Sequence, residues 1–308
     1  MCKKYELTNE TIEVTAINGK VITLYRIKAL KDFRDVKAGD LGGWIEKEDN
    51  LSHEGNAWVY DNAKVYVNAK VFGNARVYGD AIVYGNTEVY GDAEVYGNAK
   101  VYGYAWVYGY AEVRDNAVVC DRARIYDSAR IYDNAKVYGN ARVYDHAKVY
   151  GDAELFGSAK VYGDANVFGN SMVYGDAEVY GDANVYDNAM VYGDAEIYGN
   201  ANVYDRTIVF GNATVYGNAK IFGATKVSGN AKISSNDDFV PISNFGSKNR
   251  DTTFFRCEDG LVRVQCGCFY GTLDEFRAKV KETHDESKFA KEYLTLVDLI
   301  ELRLNPEE

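Results

Sequence analysis

Six side chains, aromatic or basic, recur at a spacing that would bring them together on one edge and face of a repeat. They are Tyr104, Trp106, Arg122, Arg124, Arg142 and Lys160. An aromatic plane beside stacked guanidinium groups can hold a phosphate, a nucleotide base or an acidic protein surface. The alternative is a cation–π contact between solvated side chains, with Asp121 and Asp127 partly neutralising the charge.

A second group of side chains is apolar and predicts an interface. Its members are Ile82, Val118, Met172, Tyr174, Met190, Tyr192, Ile208 and Phe210. A contiguous apolar surface of this kind is uncommon on monomers, so it favours self-association into a homo-oligomer. Binding of another protein at the same surface is the alternative.

The sequence predicts no catalytic residues. His146 is the only histidine of the repeat, and no Ser or Asp partner for it stands out; His53 lies just before the repeat. General-base catalysis needs a positioned, partnered side chain, so we expect no enzyme activity. We also expect no cofactor.

Four potential metal ligands lie near the C-terminus: Cys257, Cys266, Cys268 and His284. A metal site is the weaker of two interpretations of these residues. Cys266 and Cys268 share a strand face and could both contact a zinc ion. Free cysteines, however, are most often small buried apolar residues. Metal binding is therefore not predicted, although the sequence leaves it open.

A six-residue repeat positions most of these side chains. The phrase Gly-Asn/Asp-Ala-x-Val-Tyr occurs as thirty consecutive hexads from Gly55 to Ser234. Position 5 is a branched aliphatic residue that can fill a narrow core, and position 3 is nearly always Ala. Positions 1 and 2 are mostly Gly, Asn or Asp, the residue types that tolerate the positive φ found in turns. Each x-Val-Tyr is then a short strand with Val inward, and three strands close a triangle every 18 residues.

This pattern resembles the left-handed parallel β-helix of hexapeptide-repeat proteins. Thirty hexads would make about ten coils, and residues 18 apart would stack in columns. The tyrosines at position 6 then form ladders. They either stiffen the helix or offer a flat aromatic surface to carbohydrate or to a partner.

The repeat is flanked by two other regions. Residues 1–54 predict an N-terminal β cap, in which residues 20–30 form a hairpin arm, glycines 39, 42 and 43 form tight turns, and Trp44 covers the end of the helix. Residues 235–308 predict a small α+β domain. It has a turn or linker at residues 236–241, a hairpin across Asp259-Gly260 and two helices, the first opened by a capping box at Thr272.

Both flanking regions resemble known groups of proteins. Residues 26–29, 32–39 and 42–44, leading into Trp58-Val-Tyr-Asp-Asn-Ala63, are similar to bacterial hexapeptide-repeat proteins regarded as acyltransferases. That resemblance implies an acyltransferase as one alternative. Residues 242–284, with Val264-Gln-Cys-Gly-Cys-Phe269 and Gly271-Thr-Leu-Asp-Glu-Phe276, resemble a C-terminal module of uncharacterised bacteriophage and prophage proteins. This second resemblance implies a phage-linked origin.

Charge and composition argue against two classes of function. The net charge is −11 without any basic cluster, which argues against strong nucleic-acid binding. No apolar run reaches 18 residues and no secretory signal is evident, so we expect a cytoplasmic protein without a membrane span. The sequence therefore predicts a non-enzymatic binding or scaffolding protein of phage type. An inhibitor of a host defence protein, acting by protein–protein binding, is the alternative.

Overall fold

The computed structural model describes residues 3–16 and 19–304. The chain divides into two compact units, residues 1–164 and 165–308, which are described separately below. Among the residues described, no helix is both long and apolar enough to cross a membrane.

The first unit begins with three longer strands and continues with short ones. Strands β1 (Tyr5–Thr15) and β2 (Val21–Ala29) form an antiparallel pair, and β2 also pairs with β3 (Leu41–Ile45). A 3-10 helix follows at Glu48–Asn50. The short strands β4 to β21 are Trp58–Val59, Lys64–Val67, Lys70–Val71, Arg76–Val77, Ile82–Gly85, Glu88–Val89, Glu94–Val95, Lys100–Val101, Trp106–Val107, Glu112–Val113, Val118–Val119, Arg124–Ile125, Arg130–Ile131, Lys136–Val137, Arg142–Val143, Lys148–Val149, Glu154–Leu155 and Lys160–Val161.

The second unit continues the same pattern and ends in a different one. Its short strands β22 to β33 are Asn166–Val167, Met172–Val173, Glu178–Val179, Asn184–Val185, Met190–Val191, Glu196–Ile197, Asn202–Val203, Ile208–Val209, Thr214–Val215, Lys220–Ile221, Lys226–Val227 and Lys232–Ile233. The C-terminal region comprises 3-10 helices at Asn236–Asp238 and Gly246–Lys248, strands β34 (Phe239–Phe245), β35 (Arg250–Arg256), β36 (Val262–Cys266) and β37 (Phe269–Thr272), and helices α1 (Leu273–His284) and α2 (Lys288–Leu304).

The hexads and the segment before them form a β-solenoid of about 11 turns, so the predicted mainly-β fold is confirmed. Within each unit, every third strand pairs in parallel with register partners 18 residues apart, as Val107 pairs with Ile125 and Val185 with Val203. The residues at positions 3 and 5 are buried in every hexad, whereas those at position 4 are half-buried or exposed, with Trp58 of the first hexad as the buried exception. This alternation follows from the pleat of a strand. The left-handed sense of the solenoid stays a prediction.

Corner geometry explains the first residue of each hexad. All thirty of these residues have positive φ, which Gly and Asp tolerate better than most others. The Asp side chains at this position also bind the next coil, since Asp121 Oδ2 accepts the Gly139 N–H at 3.1 Å. Val67 is the one β-branched exception, and its N–H donates to the Glu46 carboxylate at 2.6 Å.

Parallel pairing begins before the first hexad, which adds a turn to the ten coils expected from the hexads alone. Strand β3 pairs in parallel with β5, with Trp44 opposite Lys64. Gly42 lies within this strand and not in a turn as predicted; a Cβ there would come within 2.6 Å of Ile27 Cγ1 and Val59 O. Trp44 packs on the side of the solenoid against a cluster formed by Ile22, Leu24 and Tyr66.

The C-terminal region packs on the last turns of the second unit. Ser228 Oγ donates to Gln265 Oε1 at 3.1 Å, and Ala231 forms a bridge with Cys257. The predicted hairpin and capping box are both present, as Glu275 N–H donates to Thr272 Oγ1 at 3.2 Å. Residues 236–241, predicted as a linker or turn, instead comprise the 3-10 helix Asn236–Asp238 and the beginning of edge strand β34 (Phe239–Phe245). An edge position tolerates Pro241, which has no N–H to pair.

The position-6 side chains form aromatic ladders. Tyr90, Tyr108 and Tyr126 stack at centroid distances of 4.9 and 5.0 Å with interplanar angles of 1° and 4°. Burial is the main cause that raises the pKa of the ladder phenols, and it raises that of Tyr66 to about 12. The rings therefore remain neutral well above ordinary pH.

We predict that the solenoid loses stability as pH rises above about 10. Phenols of the unfolded chain ionise near that pH, whereas folded ladder phenols have a raised pKa, so the unfolded state binds fewer protons. Thermal unfolding midpoints measured from neutral to strongly alkaline pH should fall in this window, together with a late phenolate absorbance change. A constant midpoint up to pH values where the ladder phenols ionise would contradict the prediction.

Candidate functional site

The first unit brings the predicted aromatic and basic residues onto one side of the solenoid. Trp106 is the register partner of Arg124, Arg124 of Arg142, and Arg142 of Lys160. Tyr104 and Arg122 lie at the corner preceding the first two of these strands, since the Tyr104 N–H donates to the carbonyl of Asp121. We call these six residues the cation–aromatic strip.

The arginines of the strip carry unbalanced charge. Arg122, Arg124 and Arg142 are exposed, and in the described part of the chain none has a carboxylate oxygen within 4.0 Å. Arginines on the neighbouring sheet are neutralised, because Arg130 Nε lies 3.5 Å from Glu112 Oε1 and Arg76 forms an ion pair with Glu94. Like charges directly opposite one another in a sheet are destabilising. Like charges are also stacked on the neighbouring sheet, where Arg130 lies opposite Lys148, but Arg130 has Glu112 as a partner on its other side. The strip differs in that its stacked arginines have no such partner among the described residues.

The strip also has an exposed aromatic side chain, Tyr104, which lies outside the ladders. Ladder rings stack face to face within each column, so their faces are covered by neighbouring rings and mainly ring edges reach solvent. A flat ladder surface that stacks on sugar rings is disfavoured for that reason. Tyr104 replaces the usual Asn or Asp and is 60% exposed. The Arg124 guanidinium lies 4.6 Å from the centroid of the Trp106 ring.

Neutral phenols run alongside the strip. Burial raises the pKa of Tyr108, although the positive charge of Arg124 acts in the opposite direction. Burial likewise raises the pKa of Tyr126, against the effect of Arg142. Both hydroxyls are thus protonated at neutral pH and can donate hydrogen bonds to an anion.

A polar groove of about 690 Å³ adjoins the strip in the same columns. Its lining residues are Lys47, Asp49, Asn50, Asn68, Lys70, Asn86 and Glu88. Glu88 is the register partner of Trp106, and Asn68 Nδ2 donates to Asn86 Oδ1 at 3.0 Å. Sequence reasoning missed the groove because Lys47 and Asn50 precede the hexads. The 18-residue spacing back from Tyr104 and Trp106 does identify Asn86 and Glu88.

The predicted apolar interface lies in both units. In the second unit, Met172, Met190 and Ile208 are consecutive register partners, and all three are half-buried. Beside them run the stacked rings of Tyr174, Tyr192 and Phe210. In the first unit, Ile82 packs against the N-terminal apolar cluster and Val118 is half-buried. Self-association through this surface stays a prediction.

The two histidines in or near the repeat differ in their surroundings. The His53 ring stacks on the Tyr5 ring, with 4.3 Å between the ring centroids. Its Nδ1 atom accepts a hydrogen bond from the Lys4 N–H at 3.2 Å. A neutral ring bonded in this way carries its proton on Nε2 and has no lone pair left for a substrate proton. His146 is exposed at a corner. The 18-residue register does single out Ser128 and Asp164 on either side, but no hydrogen bond joins the side chains of Ser128 and His146.

The cysteines near the C-terminus do not assemble a metal site. No group of three or more His, Cys, Asp or Glu residues within residues 3–16 and 19–304 could hold a metal ion. Cys257 is buried, whereas Cys268 is exposed, and Cys266 accepts a hydrogen bond from Thr252 Oγ1 at 3.2 Å. The His284 ring stacks on the Tyr293 ring, with 5.6 Å between the ring centroids.

Fold and repeat together define a β-solenoid built from six-residue repeats. The family model described as the YdcK beta solenoid repeat matches residues 69–85, 75–91 and 123–145. A protein of Escherichia coli strain K12 named as the uncharacterized acetyltransferase YdcK is 52% identical over 42 residues. That match covers 14% of this chain and 13% of the relative's length, so it is confined to a short segment.

We predict that Arg142→Glu stabilises the solenoid by about 0.2–1 kcal/mol, because it places a carboxylate between Arg124 and Lys160. The matched control is Lys136→Glu, which changes the charge equally but removes the 2.8 Å ion pair with Glu154. It should destabilise the fold. Urea unfolding of both variants checks the opposite signs, and a loss of stability in both would count against the unbalanced strip.

Proposed function

We propose that this protein is a non-enzymatic binding protein that recognises an acidic ligand through the cation–aromatic strip. The observation that carries the proposal is the stacking of Arg124 on Arg142 with no carboxylate nearby in the described structure. Some other cations of the repeat have a carboxylate partner, as Lys136 has Glu154, and Arg130, which also lies opposite Lys148, has Glu112. Retention of a destabilising arrangement is typical of functional surfaces.

The composition of the strip supports the same conclusion. Trp, Tyr and Arg are the residues that most often dominate the energy of protein interfaces. Tyr104 and Arg122 occupy corner positions that are otherwise mostly Asn or Asp, so both are departures from the repeat. The net charge of −11 makes a local cationic strip all the more distinctive for an acidic ligand.

Acetyl transfer is the second candidate, since the relative described above is named as an acetyltransferase. Against it, the hexads run without an interrupting loop, and the Nδ1 atom of His53 is already hydrogen-bonded. His146 is then the remaining histidine of the repeat that could act as a base. A positioned partner, which efficient general-base catalysis needs, is not hydrogen-bonded to it.

The C-terminal resemblance suggests a more specific version of the binding role, in which a phage-encoded protein inhibits a host defence protein. Under our proposal, such a target would present an acidic surface to the strip. This version stays a prediction.

We expect poly-L-glutamate to bind the protein at low ionic strength. Binding should weaken about fivefold in the double variant Arg124→Ala/Arg142→Ala, because two exposed charge contacts are lost. The control Arg130→Ala/Lys136→Ala removes equal charge from ion-paired positions and should retain most of the affinity. Calorimetry measures the affinity of the wild type and of both double variants for poly-L-glutamate. Equal losses of affinity in the two double variants would contradict the proposal.

We expect neither acetyl-CoA nor CoA to produce heat in calorimetric titration of the full chain. A saturable signal that disappears in His146→Ala, together with acetyl transfer to an amine or hydroxyl acceptor, would instead establish the enzyme. Because His146 is exposed and its side chain has no hydrogen-bond partner within residues 3–16 and 19–304, this variant should fold normally.

A further inference from the structure

We infer that the ligand of the cation–aromatic strip is an acidic α-helix of a partner protein, lying along the solenoid axis. The inference rests on the proposed binding function and specifies its partner. It follows from three features of the first unit: the spacing of the cations, the position of the exposed aromatic residues, and the change of charge along the columns.

The spacing of the strip fits a helix better than a strand. The ladder rings in the same coils as Arg124, Arg142 and Lys160 are 4.9 and 4.8 Å apart, which is the spacing of the coils that carry these cations. Side chains on one face of an α-helix recur about every 5.4 Å. Those on one face of an extended chain recur about every 6.6–6.8 Å. Over two steps a helix drifts by only about 1 Å, which long arginine side chains can absorb.

The aromatic residues lie at one end of the cation column. Trp106 occupies the coil before Arg124, and Tyr104 lies at the corner beside it. A helix that places its carboxylates over Arg124 and Arg142 would set its preceding turn on these rings. An apolar residue on that turn would then bury against Trp106 and Tyr104, the usual form of an interface anchor.

Charge along the columns fixes the direction of the helix. The groove before Trp106 is lined by two lysines, Lys47 and Lys70, and two carboxylates, Asp49 and Glu88, whereas the coils after it present arginines. The N-terminal end of a helix carries partial positive charge and its C-terminal end partial negative charge. The acidic C-terminal part should therefore face Arg142, and the N-terminal end should lie over the groove, where the charges balance.

The amides of the groove suit the first turn of such a helix. Asn68 and Asn86 line it with side chains that offer oxygen acceptors. The first four N–H groups of a helix lack partners within the helix. Amide and carboxylate oxygens of the groove can accept hydrogen bonds from them.

The test uses the full chain and a pair of alanine-rich helical peptides of about 20 residues. One peptide carries glutamates at three- and four-residue intervals along one face, with a leucine one turn before the first. The other has the same composition with the glutamates distributed around the helix. Calorimetry at low ionic strength should show the patterned peptide binding about tenfold more tightly.

The variants separate failure of this inference from failure of the proposed function. Arg124→Ala/Arg142→Ala should abolish the difference between the peptides, while Arg130→Ala/Lys136→Ala should keep it. Equal affinities for both peptides would overturn the helix inference alone, and the strip would still bind acidic chains. Loss of all dependence on Arg124 and Arg142 would overturn the binding function itself.

Two other occupants are distinguished in the same experiment. A heparin oligosaccharide that binds more tightly than the patterned peptide would assign the strip to a sulfated sugar and overturn the inference. Sedimentation of the full chain tests for a second copy. A smaller assembly in Arg124→Ala/Arg142→Ala than in the wild type would mean that this protein itself covers the strip, and would likewise overturn it.

Discussion

Parallel hydrogen bonding between residues 18 apart is the constraint on which the rest of the structure depends. Each outward strand residue donates its backbone N–H to the next coil, as Trp106 does to Ala123 and Arg124 to Ala141. The core of small and branched residues keeps this register, because a slip of one residue would expose the valines. Each residue is thereby stacked on equivalent residues of other hexads. A single substitution therefore changes the contacts with its neighbours in the same column.

Because outward residues stack in columns, the type of each one changes the stability of the solenoid through its contacts with the residues above and below it. Aromatic columns gain ring contacts, as in the 4.9 Å pair of Tyr126 and Tyr144, and Asp at the corner gains a bond to the next coil. Alternating charges gain weak ion pairs. Against that background, Arg124 above Arg142 is a local cost, and the exposed Tyr104 gives up the amide ladder seen between Asn68 and Asn86. In a regular repeat, energetically unfavourable exceptions of this kind are therefore candidates for a functional surface.

Several expectations failed where tertiary contacts replaced local signals. Gly42 was assigned to a turn because glycine is frequent in turns, but its backbone approaches Ile27 and Val59 too closely for a side chain. The Asn236–Pro241 segment resembled a linker, yet packing at a sheet edge makes Phe239–Phe245 a strand. Such contacts link residues distant in sequence and leave no periodic signature. The boundary of the parallel pairing was missed for the same reason, since β3 has no hexad.

The sequence by itself determined the solenoid, its inward residues and the columns, because a strict period of six leaves one way to bury the valines. It therefore also brought Trp106, Arg124 and Arg142 together. Only the tertiary structure decided that these arginines lack carboxylate partners among the described residues, that ladder rings cover one another's faces, and that Lys47 and Asn50 complete a groove with Asn86. Those features depend on side-chain direction and on chain segments outside the repeat, and neither is encoded in its spacing.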